Sequence, residues 1–129
     1  AVEQGSMVFY SPDAEGVRDG KPRPPLKAGC VIETAVIYKA MSFEEIKKEV
    51  EIIHEELSLD FDRFENIQVV NRQALKNIFQ GKLLGYGEAI YISTAKAVHS
   101  IVIYSPLESQ ENERCSQEFD KFLETVSIQ

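Results

Sequence analysis

The chain has no tryptophan, only two cysteines (Cys30 and Cys115) and only two histidines (His54 and His99). Two distant histidines and no cysteine cluster supply too few ligands, at the wrong spacing, for a tetrahedral zinc site. His54-Glu55-Glu56 lacks the second histidine that a zinc protease motif needs four residues on, where Ser58 stands instead. Basic charge is also scarce: 14 Lys and Arg stand against 21 Asp and Glu, a net charge of -7. That balance argues against a nucleic acid or an anionic membrane as partner, since both require a dense basic surface. Apolar runs stop after four or five residues, as at Ile101 to Tyr104, far from the roughly 20 needed for a transmembrane segment. Gly85-Tyr86-Gly87 lacks the third small residue of a dinucleotide fingerprint and leads into a strand-like run, so it reads as a turn. The carboxylates after residue 43 lack the alternating spacing of a calcium loop. No cofactor and no metal is therefore expected.

What remains is the composition of one globular domain over residues 1–129, with 43% hydrophobic and 27% charged residues. Residues 1–6 read as a tail without functional weight. Met7 to Pro12 is a short β-prone run closed by proline. Residues 13–29 read as a long Pro-rich loop, because Pro22, Pro24 and Pro25 block both helix and ladder pairing. This loop is locally basic, with Arg18, Lys21, Arg23 and Lys27 against Asp13, Glu15 and Asp19.

Cys30 to Ala40 is rich in β-branched residues and reads as a central strand. The period then changes. Ser42 with Glu45 makes a capping box, and Phe43, Ile46, Val50, Ile53 and Leu57 fall at helical spacing, which predicts a helix over 42–58. His54 is expected at the edge of its buried face, and Glu44 is expected to pair with Lys48 on the solvent face. Two strands are predicted between Asp60 and Gly81, with a turn near Asn71-Arg72-Gln73. Gly85 to Thr94 and Ala97 to Pro106 read as an antiparallel hairpin. Cys115, Phe119, Phe122 and Val126 then define the apolar face of a last helix over 110–126. The fold class is α+β, with a mostly antiparallel sheet of about five to seven strands between two main helices.

Cys115 admits three roles. It can be a small hydrophobe on the core face of the last helix, half of a disulfide with Cys30, or a nucleophile paired with His54 or His99. The last would make the protein a small thiol-dependent hydrolase, but no local signature surrounds the thiol. Tyr38, Tyr86, Tyr91, Tyr104, Phe61, Phe64 and Phe79 supply aromatic surface for a cleft.

The order of elements resembles the PsbP-like superfamily, which includes the PsbP proteins of photosystem II, bacterial DcrB-like periplasmic proteins and lipoproteins, and a eukaryotic Ran-binding import factor. The similarity covers about residues 30–129. It rests on VIETAVIYKAMSFEEIKKEVEIIHEEL, on the hairpin EAIYISTAKAVHSIVIYSP, and on the final helix with Phe119-x-x-Phe122-Leu123. A long Pro-rich loop replaces the short Pro-Gly-Trp-like turn usual in that group. The resemblance implies a sheet between helices, export in bacterial members, and a non-catalytic binding or accessory role.

The expectation is therefore an exported binding protein, periplasmic or membrane-anchored, with a cytosolic protein-binding adaptor as the alternative. It would engage a protein partner or small ligand through the Pro-rich loop and an aromatic-lined cleft, with Arg18, Arg23, Lys27, Tyr86 and Tyr91 as the contact residues.

Overall fold

The structure, a computed structural model, describes residues 4–10, 17–18, 21–22, 28–56, 60–61, 64–81, 85–106 and 109–126. Its strands are β1 (Gln4–Tyr10), β2 (Val17–Arg18), β3 (Lys21–Pro22), β4 (Val31–Ile37), β5 (Asp60–Phe61), β6 (Glu65–Val69), β7 (Arg72–Gly81), β8 (Gly85–Ser93) and β9 (Val98–Ser105). Its helices are α1 (Phe43–Glu56) and α2 (Ser109–Leu123). Seven strands form one sheet in the order β1-β4-β9-β8-β7, with β5 and β6 both on the far side of β7; β2 and β3 form a separate two-stranded ribbon. Every pairing is antiparallel. The α+β class and the strand number agree with the sequence reading.

The sheet separates two apolar layers by the period-2 alternation of its strands. In β8 and β9 the register sets Ile90 opposite Ile101 and Ile92 opposite His99. These residues, with Ile32 of β4 and Ile103, face α2, where Cys115 and Phe119 complete the layer. Each fully buried isoleucine there contributes roughly 1.5–3 kcal/mol through removal of apolar surface from water. Leu75 and Val98 point to the opposite side and pack against Ile46 and Val50 of α1. The helices thus lie on opposite faces of the sheet.

Helix α1 begins as the capping box predicts. The Ser42 amide donates to Glu45 Oε1 at 3.2 Å, and the Glu45 amide donates to Ser42 Oγ at 3.2 Å. These bonds hold the Glu45 carboxyl below its usual range. The buried face differs from expectation: it is Ile46, Val50 and His54, at strict i,i+4 spacing, while Ile53 is 48% exposed. Rotation by one residue brings the His54 ring against Phe79, with centroids 5.7 Å apart. Glu44 pairs with Lys47 at 3.3 Å, an i,i+3 contact, in place of the expected pairing with Lys48. Leu57 lies outside the described residues.

Other expectations also need correction. Residues 4–6 belong to the sheet, paired with Ala35 to Ile37, and are no tail. Part of the 13–29 segment forms the β2–β3 ribbon, with Val17 opposite Pro22. Gly85-Tyr86-Gly87 is the start of β8 and no turn. A Cβ on Gly87 would overlap the Phe79 ring, so glycine is what lets this aromatic lie across the neighbouring strand. Residues 73–80 are strand throughout, as predicted for the second of the two strands before Gly81.

The β8–β9 link is closed by Thr94, whose amide donates to the Ala97 carbonyl at 2.8 Å while its Oγ1 accepts the Ala97 amide at 3.1 Å. The β6–β7 link is a two-residue turn in which Val70 and Asn71 have φ of 46° and 65°. Asparagine tolerates this left-handed conformation; a β-branched valine is strained in it. Val70 is also 53% exposed, so its side chain recovers little by burial. Val70→Asn is expected to stabilise the fold by about 1 kcal/mol, read as a Tm increase of a few degrees by calorimetry. An unchanged or lower Tm would show that the valine side chain makes up for the turn strain.

Candidate functional site

Cys30 and Cys115 form a disulfide with Cα atoms 5.5 Å apart, joining the residue before β4 to the core face of α2. Of the three roles open to Cys115 from sequence, this geometry selects the cross-link. The sulfur then offers no thiolate, and neither histidine stands near it. His54 lies under α1 on the other side of the sheet. His99 shares the α2 face, but Val31, next to Cys30, is opposite Tyr104. Five residues of strand separate Tyr104 from His99, about 17 Å at the usual rise.

Further side-chain contacts hold α2 in place, one of them through a carboxylate that Lys76 pairs with. Ser105 Oγ donates to Asn112 Oδ1 at 2.8 Å. Ser116 Oγ donates to Glu88. Lys76 Nζ lies 3.1 Å from Glu88 Oε1, where the Glu88 side chain is 3% exposed and that of Lys76 is 25% exposed. Glu88 alternates with Ile90 and Ile92, so its carboxylate lies in an otherwise apolar layer and is compensated there by one ammonium and one hydroxyl. This cluster fixes the helix to β7 and β8 through the buried Glu88 carboxylate.

The last turn of α2 runs past the end of this anchored region and leaves an open groove of about 240 Å³ against β1, β4 and β9. Thr34 and Val36 of β4 and His99 and Ile101 of β9 form its floor; Met7 and Phe9 of β1 make one wall, and Phe122 with Val126 the other. Phe9 and Phe122 meet with ring centroids 5.3 Å apart. Met7 is nonetheless 61% exposed and Phe9 42% exposed. The lining is mostly hydrocarbon, with a few polar groups, among them Thr34 and His99. Burial, and secondarily the Arg72 guanidinium, lower the His99 pKa, so its imidazole is neutral at pH 7. Such a surface can hold an apolar group and orient it by a hydrogen bond; its polar side chains are the Thr34 and Ser100 hydroxyls and the His99 imidazole. Among the described residues no group of His, Cys, Asp and Glu is arranged to hold a metal ion.

A second aromatic patch lies on the α1 face. Phe79, Tyr91 and Tyr104 pack with Ala89 and Val102. Burial raises the Tyr91 pKa to about 12. Burial, then the Glu33 carboxylate and Tyr91, raise that of Tyr104. Both are neutral phenols over the physiological range and act as packing groups.

The residues expected from sequence to form a binding surface do not converge. Tyr86 is opposite Ser105 and points to the α2 side, whereas Tyr91, opposite Leu75 and Ser100, points to the α1 side. Arg18 is in β2; Arg23 and Lys27 lie outside the described residues. Of the other aromatics, Tyr38 is 58% exposed and Phe64 packs beside α1. Sequence reasoning missed the groove. Its signal was the alternation of Met7 and Phe9 in an uncharged run, and the continuation of the α2 stripe to Val126 past the helix end.

No family model and no curated protein matches this sequence. Among solved structures, the fold is similar to that of PA94 from Pseudomonas aeruginosa, described as a protein of unknown function and provisionally as a regulator. The TM-score is 0.67 at 11% identity, covering 98% of this chain and 85% of that one. At that identity the likeness is one of fold.

The two histidines predict a pH dependence. Burial lowers the pKa of both His54 and His99 from 6.5. At pH values between the folded and unfolded pKa, the unfolded chain binds more protons, so stability rises with pH there. The contribution is complete above about pH 6.5 and is lost as pH falls through the lower, folded values. The Tm is expected to drop between neutral pH and the onset of carboxylate titration, and the His54→Gln/His99→Gln double variant to lose that slope. A double variant with the slope intact would assign it to other groups.

Proposed function

We propose that this chain is a non-catalytic binding or accessory protein of PsbP-like type, exported by a bacterium, that holds an apolar group of a partner or small ligand in the groove between β1 and the end of α2. The observation that carries this reading is the groove itself: an open apolar recess whose wall residues Met7 and Phe9 stay exposed although apolar. The Cys30–Cys115 disulfide supports an oxidising compartment, because cytosolic thiols are ordinarily kept reduced. It also supports a non-catalytic role, since it engages the one cysteine that a thiol enzyme would need. The locally basic segment of the sequence bearing Arg18, Arg23 and Lys27 offers opposite charge to an acidic partner, on a chain that is otherwise acidic.

A neutral apolar fluorophore such as N-phenyl-1-naphthylamine is expected to bind the folded protein saturably. Thr34→Trp, which fills the groove floor, is expected to abolish that binding with little change in Tm. Absence of saturable binding, or binding untouched by Thr34→Trp, would exclude the groove as the site. The compartment is tested separately by rapid thiol trapping and intact mass on protein from its native cells. The expected result is no alkylation before reduction; two thiols that alkylate once the protein is unfolded without reductant would place the chain in a reducing compartment.

A further inference from the structure

The two edges of the sheet are built differently. At one edge, β5 is two residues long and β6 five, and Asp60 and Glu65 sit on them. Short strands and charge are the usual protection of an edge against adding another strand. At the other edge β1 runs for seven residues, QGSMVFY, with no charged residue and no proline. It is bonded to β4 on one side, and among the described residues nothing pairs with its other side. A seven-residue row of backbone donors and acceptors is thus presented beside two exposed apolar side chains, Met7 and Phe9.

We infer that this edge pairs with the same edge of a second copy of the chain, antiparallel about a two-fold axis through Met7. The sequence of β1 is complementary to itself in that register. Met7 meets the partner's Met7, and Phe9 falls opposite the partner's Gly5, which has no side chain to compete for the space. Val8 falls opposite the partner's Ser6, and Tyr10 opposite the partner's Gln4. An isologous pairing always places some residue against itself, so any charge at the axis would be repelled by its own copy; β1 has none. For two chains of net charge -7, this uncharged strip is where close approach meets the least local repulsion. Residues 5, 7 and 9 of both copies share the α2 face, so two Met7 and two Phe9 side chains gather into one apolar cluster on a continuous sheet. The inference goes beyond the groove reading and stands without it.

Sedimentation velocity over a range of protein concentration tests the pairing. Wild type is expected to show reversible monomer–dimer exchange. Met7→Lys is expected to weaken dimerisation by about tenfold or more, a change of about 1.4 kcal/mol, with Tm unchanged because Met7 is exposed. Val70→Lys, also at an exposed position but on the distant β6–β7 turn, is expected to leave dimerisation as it is. The register has its own test. With Cys30 and Cys115 already joined, Met7→Cys is expected to give a disulfide-linked dimer on oxidation, since its sulfurs meet at the axis, and Ser6→Cys is not. A monomer at every concentration, a dimer indifferent to Met7→Lys, or linkage through Ser6→Cys in place of Met7→Cys would overturn the inference. So would capture of a strand from another protein at this edge by a chain that stays monomeric.

Discussion

The antiparallel pairing of β8 with β9 is the constraint on which the remaining structure depends. Both strands lie in the interior of the sheet, so each of their faces must be covered. Alternate residues of β8 serve different helices: Ile90 and Ile92 face α2, and Ala89 and Tyr91 lie on the α1 side. A slip of one residue would exchange the two sets, setting isoleucines against α1 and Tyr91 against α2. The hydrophobic pattern therefore specifies register from both sides at once. Thr94 assists by closing the link between the strands with its own hydrogen bonds.

Position on the sheet is decided differently for the two helices. Helix α1 enters through a capping box and carries one apolar stripe, so local chemistry and packing agree on its orientation. Ser93 Oγ, donating to the Met41 carbonyl, ties its entry to the end of β8. Helix α2 is fastened by long-range contacts: the disulfide, the Ser105–Asn112 bond and the Glu88 cluster. The cross-link spans a sequence separation of 85 residues, for which the chain-entropy model gives about 4 to 5 kcal/mol. The buried carboxylate contributes orientation more than net energy, because its desolvation offsets much of the attraction to Lys76. These attachments all lie in the first half of α2. Its last turn packs through Phe122 and Leu123, beyond those attachments, and borders the open apolar groove.

Much of the fold was legible from periodicity. The shift from period 2 to period 3.6 at Ser42 located α1, and the isoleucine-rich runs located β8 and β9, because burial on a pleated or helical surface imposes those spacings directly. The one-residue error in the α1 face has a physical cause: His54 carries enough apolar ring to be buried against Phe79, so polarity alone did not predict which neighbour would point inward. Gly85-Tyr86-Gly87 reads as a turn in sequence because it lacks the third small residue of a dinucleotide fingerprint and leads into a strand-like run. In the sheet the Phe79 ring occupies the space above Gly87 and supplies the packing that glycine lacks.

The sequence by itself determined the α+β class, the capping box of α1, the hairpin and the apolar face of α2, since each depends on residues close along the chain. It also left Cys30 and Cys115 as candidates for one another without deciding their state. Only the tertiary structure decided that they join, that Glu88 and Lys76 meet, that Tyr86 and Tyr91 face opposite ways, and that Met7, Val36, His99 and Phe122 surround one recess. These are contacts between segments far apart in sequence, fixed by strand order and register. No local pattern encodes which strand will lie beside which, and the groove exists only where β1, β4, β9 and the end of α2 have been brought together.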